Sequence, residues 1–160
     1  MTLEEVKAVL TALVDEGVDF VVIGSMAMAA QGLPRATQDL DLFVAPALDN
    51  LEALKRALKS LFDDPSIDEI DPQELAGRYP AVEYVPPHGR YSLDFLTRLG
   101  EAFSWKDLEA GSQEIDLGDL KIRVASPQML YRMKRDTVRL QDRVDAARIR
   151  EAFDLDEESS

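Results

Sequence analysis

The stretch VVIGSMAMAAQGLPRATQDLDLFV, from Val21 to Val44, decides the fold. It opens as a buried strand over residues 19–23, breaks at Gly24–Ser25, and passes into a short helix rich in Ala and Met over residues 26–31. Pro34 disfavours helix at Leu33, so residues 33–38 read as a loop. Residues 39–44, DLDLFV, are a second strand. Side chains alternate along a strand, so Leu40, Leu42 and Val44 face one way and Asp39 and Asp41 the other. Two like charges that close repel, and one pKa rises unless a cation stands between them. A divalent metal is the natural counter-ion. Mg²⁺ takes hard oxygen ligands and is often held by one or two carboxylates plus substrate phosphates. Gly24–Ser25 supplies the phosphate side. A strand that ends in a glycine turn and a helix N-terminus leaves backbone N–H groups for an anion. Gly24 permits close backbone approach, and Ser25 adds a hydroxyl and is expected to cap the helix.

Outward from this stretch, helices and strands alternate. Residues 2–16 form a helix, with Leu3, Val6, Leu10, Leu13 and Val14 on one face and a capping box of Thr2 with Glu5. Residues 48–62 form another, with Leu51, Leu54, Leu58, Leu61 and Phe62 as its apolar stripe. A polar connection holds one short helix near Gln73. Residues 81–85 and 91–97 are strands around the turn PPHG. Residues 115–117 and 120–124 form a hairpin through Gly118–Asp119. Ser126–Pro127 starts a helix, a hydroxyl cap followed by proline, and one or two basic helices reach residue 153. The expected architecture is α/β (α+β), a mixed sheet of four to six strands flanked by helices. Residues 1–153 form a single domain, and residues 154–160 an acidic, flexible tail.

Composition narrows the function. The chain has 160 residues and no cysteine, which excludes a disulfide framework and a thiolate metal site. No apolar run is long enough to span a bilayer. The first residues lack the basic and apolar regions of a signal peptide, so a cytoplasmic location and no membrane partner are expected. Lys and Arg number 18 against 31 Asp and Glu, a net charge of -13, which repels polyanions except at a local basic patch. The one such patch is YRMKRDTVRLQDRVDAARIR, with seven Arg or Lys in its twenty residues.

The order glycine–serine turn, short helix, then D-x-D on the next strand resembles the nucleotidyltransferase superfamily that includes DNA polymerase β. Its signature is hG[GS] followed by Dh[DE]h, with h apolar. Here these are Ile23–Gly24–Ser25 and Asp39–Leu40–Asp41–Leu42. The longer gap and PRATQDLDLFV look most like minimal nucleotidyltransferases, the group of AbiEii-type and MenA-type toxin relatives. The resemblance implies a third carboxylate on a neighbouring strand, for which Asp94 in YSLDFLTRL is the candidate. It completes the metal site and serves as base for an incoming hydroxyl. The C-terminal segment resembles the pattern of proline, Lys, Arg and a KDxxDh helix, matched by Lys134, Arg139, Asp142 and Asp145. Gln141 departs from it, standing where the pattern has Lys.

By this resemblance the chain binds a nucleoside triphosphate with Mg²⁺ or Mn²⁺ on Asp39, Asp41 and Asp94. Gly24, Ser25, Arg35, Lys134 and Arg139 face the nucleotide. The reaction is metal-dependent nucleotidyl transfer to an acceptor hydroxyl on tRNA, a protein or a small molecule. The setting is a toxin–antitoxin or phage-defence pair, with a cognate antitoxin or toxin as partner. The alternative is a non-catalytic binding or antitoxin module on the same fold. A charge-laced helix also accounts for Asp142, Asp145 and Arg139. His88 reads as a turn residue, Met26 and Met28 as packing, and Trp105 as amphipathic packing.

Overall fold

A computed structural model describes residues 1–33, 38–135 and 139–156. Arg35 lies outside the described residues. Helix α1 is Leu3–Asp15, β1 is Phe20–Ile23, α2 is Gly24–Ala30 and β2 is Asp39–Val44. Helix α3 is Leu48–Leu61, followed by a 3-10 helix, Pro65–Glu69, and α4, Pro72–Ala76. Then come β3 (Ala81–Tyr84), β4 (Ser92–Leu96), α5 (Trp105–Ala110), β5 (Ser112–Leu117), β6 (Leu120–Ala125), α6 (Pro127–Arg135) and α7 (Leu140–Phe153).

The six strands form one sheet in the order β3-β4-β2-β1-β6-β5. Strands β1 and β2 pair antiparallel, with Ile23 opposite Asp41. Strand β4 pairs parallel to β2, with Ser92 opposite Asp39 and Asp94 opposite Asp41. Strand β6 runs parallel to β1, and β3 and β5 close the two edges antiparallel to β4 and β6. This is the mixed α/β sheet that the alternation implies.

Sequence chemistry fixes the ends of the elements. Thr2 Oγ1 accepts from the Glu5 amide at 3.1 Å, and Glu5 Oε1 accepts from the Thr2 amide at 2.9 Å. The capping box is therefore complete. Asn50 ties α3 to the sheet: its Nδ2 donates to the Asp19 and Ala45 carbonyls, and its Oδ1 accepts from the Asp19 amide. Ser126 Oγ accepts from the Met129 amide at 3.2 Å and so starts α6. All four residues of β1 are buried, as suits a central strand. Leu10, Leu13, Met28, Leu40, Leu42, Phe43, Leu54, Leu58 and Phe95 form the interior.

The structure differs from expectation in four places. The stripe of α1 is Val6, Val9, Leu10 and Leu13, while Leu3 and Val14 are exposed. Helix α2 begins at Gly24 rather than residue 26. Its N-cap is Ile23, with no side-chain capping bond, so Ser25 lies inside the helix and does not cap it. Helix α5 stands outside the expected elements. The hairpin strand β5 starts at Ser112, three residues before the expected 115. Among the described residues no helix is long and apolar enough to cross a membrane.

Candidate active site

Gly24 follows β1 and opens α2 with φ +66°, in the left-handed region that favours glycine. The chain turns there directly into α2, and a β-carbon on Gly24 would stand 2.2 Å from Asp41 Oδ2. Glycine therefore serves twice, for its backbone angle and for its missing side chain. Ser25, the next residue, is buried.

Asp41 and Asp94 are directly opposite in a parallel ladder, so their side chains leave the same face of the sheet. Two carboxyls held this close on one face repel when both are ionised, so the pair favours keeping a proton. Burial raises the pKa of Asp94 to about 7, helped by a hydrogen bond with Asp41 and by the charges of Asp41 and Asp39. Burial also raises Asp41, and Asp39 adds to the rise. The bond from Asp94 and the positive charges of Lys134 and Arg139 act in the opposite sense. Both cations are thus within electrostatic reach of Asp41.

Asp39 is exposed at the start of β2, and its Oδ1 accepts from Ser92 Oγ at 2.6 Å. Two of the three expected carboxylates therefore meet, and the third rests on a neighbouring hydroxyl. Among the described residues no group of three or more His, Cys, Asp or Glu side chains is drawn together as a metal site. The Asp41–Asp94 pair nonetheless has the right chemistry for a hard cation: oxygen donors only, and like charges pressed together.

Lys134 is nearly buried, and its Nζ lies 3.2 Å from both Asp142 Oδ1 and Asp145 Oδ2. Asp145 is fully buried, and its Oδ1 accepts from Gln141 Nε2 at 2.9 Å. Arg139 Nε stands 3.7 Å from Asp142 Oδ2 and is largely exposed. The charge-laced helix is thus present, and it encloses the lysine that is expected to reach a phosphate.

His88 caps its own turn, with Nδ1 accepting from the Arg90 amide at 3.0 Å. Met28 is buried, and Met26 and Trp105 pack partly against the core. Two further residues join the site through the fold alone. Ser92 holds Asp39. Glu83, on the edge strand, lies opposite Asp94, so Glu83, Asp94 and Asp41 run across three strands in register. No local sequence signal marks either one, because each depends on a strand pairing.

A family model described as "Nucleotidyl transferase AbiEii toxin, Type IV TA system" matches residues 8–157. The chain belongs to the AbiEii family. Its fold is also that of a solved structure from Thermotoga maritima, described as a "putative nucleotidyltransferase". That likeness has a TM-score of 0.53 at 17% identity and covers 95% of this chain and 88% of the other. No curated protein matches the sequence. As an AbiEii member the chain is a nucleotidyltransferase of a toxin–antitoxin family, which agrees with the glycine turn and carboxylate strand.

Proposed function

We propose that this AbiEii-family chain moves a nucleotidyl group from a nucleoside triphosphate to an acceptor hydroxyl, with Asp41 and Asp94 at the centre of the reaction. The observation that carries the reading is the in-register pair Asp41–Asp94, with Gly24 left bare against Asp41. An aspartate pair of raised pKa in a strand face is a poor structural choice unless a cation takes the place of its proton. Asp39, Asp41 and Asp94 are the assigned ligands for Mg²⁺ or Mn²⁺. The donor set fits a site completed by substrate phosphates rather than a cage preformed by protein. When bound, the metal offsets phosphate charge and helps align the displacement.

The remaining work falls to the chain. The Gly24–Ser25 turn receives the triphosphate at its backbone amides. Lys134 and Arg139 supply positive charge toward it, with Arg139 suited to a two-point grip. Arg35, outside the described residues, is assigned the same task. The acceptor oxygen bonds to the α-phosphorus, the α–β anhydride bond breaks, and pyrophosphate leaves in line. The hydroxyl proton passes to Asp94. The acceptor is a hydroxyl on tRNA, protein or a small molecule, and a cognate antitoxin is the protein partner. The family's toxin role supports that setting.

The test supplies each labelled triphosphate with Mg²⁺ and a cell extract, then follows label into RNA, protein and small molecules. Transfer that needs metal and is lost with Asp41→Asn is the expected result. Equal transfer in excess chelator would overturn the metal role.

A further inference from the structure

Helix α7 packs chiefly against α6, yet it encloses a charge, that of Lys134, that acts on Asp41. Asp145 is fully buried. A buried carboxylate is costly unless it is paired and its oxygens are satisfied. Here Lys134 Nζ faces one oxygen at 3.2 Å, and Gln141 Nε2 donates to the other at 2.9 Å. A lysine ammonium sits on a flexible four-carbon stem, so acceptors must hold it in place. Asp142, also 3.2 Å away, is a second acceptor from the same helix. The held charge is felt at Asp41.

Gln141 has a specific part in this. Its amide is neutral, so it satisfies Asp145 without competing with Lys134 for the negative charge.

We propose that Asp145, seated by Gln141, is a positioning residue for the transfer reaction: it fixes the Lys134 ammonium in place, so that α7 acts on the chemistry through α6. This rests on the reading that Lys134 faces the triphosphate. The leaving pyrophosphate gains charge as the anhydride bond breaks, so a well-placed ammonium counts for more in the transition state than in the ground state.

The experiment compares Asp145→Asn, Lys134→Met and the double variant by two measurements. The first is the acylation rate of Lys134 by an amine-reactive ester, read by mass spectrometry without metal or nucleotide. The second is transfer from labelled triphosphate with Mg²⁺ and cell extract. Asp145→Asn should speed Lys134 acylation about tenfold and lower kcat about 10- to 100-fold, as loss of an orienting partner does elsewhere. KM for the triphosphate should change by less than about threefold. In the Lys134→Met background Asp145→Asn should cost nothing further, because the two act as one unit. Gln141→Leu should move both measurements the same way by less, and it decides the matter if Asp145→Asn fails to fold.

Unchanged Lys134 acylation in Asp145→Asn would overturn the proposal, as would an equal kcat loss in both backgrounds. Wild-type kcat in Lys134→Met would instead overturn the nucleotide-facing role of Lys134. Acylation of Lys134 would still respond to Asp145 in that case, so the two failures are separable.

Discussion

A β-carbon on Gly24 would lie 2.2 Å from Asp41 Oδ2 and 3.1 Å from Asp41 Cβ. The turn between β1 and α2 and the carboxylate on β2 are therefore fitted to each other. Gly24→Ala meets two penalties. An alanine at φ +66° is strained by about 1–2 kcal/mol, and the new methyl displaces Asp41 from Asp94. The expected outcome is a folded protein with a lower urea midpoint and almost no transfer activity. A variant with a normal midpoint and normal turnover would remove the steric argument.

The proton of the Asp41–Asp94 pair has a consequence for stability. Burial pushes the Asp94 carboxyl up to about 7 in the folded chain, from an ordinary value of 3.8. Between about pH 4 and pH 7 the folded state thus holds a proton that the unfolded chain has released. Stability must fall as pH rises through that window and lose its dependence on this group above it. The proton belongs to the pair, so Asp94→Asn should also relieve Asp41. Thermal unfolding in chelator, from pH 4.5 to pH 8, should show a downward slope that Asp94→Asn flattens. Parallel curves for the two proteins would mean that the pair does not share the proton.

The basic patch on α6 and α7 leads to a third outcome. Arg139 and Arg143 are exposed in a chain of net charge -13. If tRNA is the acceptor, Arg139→Glu with Arg143→Glu should abolish its retention and reduce the salt slope by about one for each phosphate no longer neutralised. Filter binding across a salt series measures this. Failure of the unaltered protein to bind tRNA at low salt would assign the acceptor to protein or small molecule.

What can be read from the sequence is local. The strand–glycine–helix–strand order from Val21 to Val44 follows from nearest neighbours and alternation, and residues 39–44 form the strand it implies. The capping box at Thr2 and the start at Ser126–Pro127 are equally local. Helix α5 carries a local signal too, though a faint one: Ser104 and Asp107 form a capping box three residues apart ahead of a helix of only six residues. What depends on distant pairing has no such signal. Asp94 meets Asp41 because β4 joins β2 in parallel across 53 residues, the separation of Ser92 and Asp39. Glu83 enters the row only through β3. Lys134 is picked out only by its match to the family's C-terminal pattern, whereas its enclosure by Asp142 and Asp145 depends on how α7 folds back on α6.

The sharpest division of labour is between Asp41 and Asp94. Asp41 stands against the Gly24 turn and within electrostatic reach of Lys134 and Arg139, which on the proposed reaction assigns it to the nucleotide. Asp94 lies one strand further out, toward the open edge formed by β3. On the proposed reaction the hydroxyl attacks opposite the leaving pyrophosphate, which assigns its approach to the Asp94 side. Asp94→Asn keeps the shape of the side chain but cannot accept a proton. It should leave the fold and most triphosphate affinity intact while lowering turnover about 10²- to 10⁴-fold, the range for loss of a general base. Asp41→Asn should weaken both binding and turnover, because its carboxylate serves ground state and transition state alike. Calorimetry with each triphosphate and Mg²⁺, beside the labelled transfer assay, separates the two. Wild-type turnover in Asp94→Asn would show that the outer carboxylate takes no part in the chemistry.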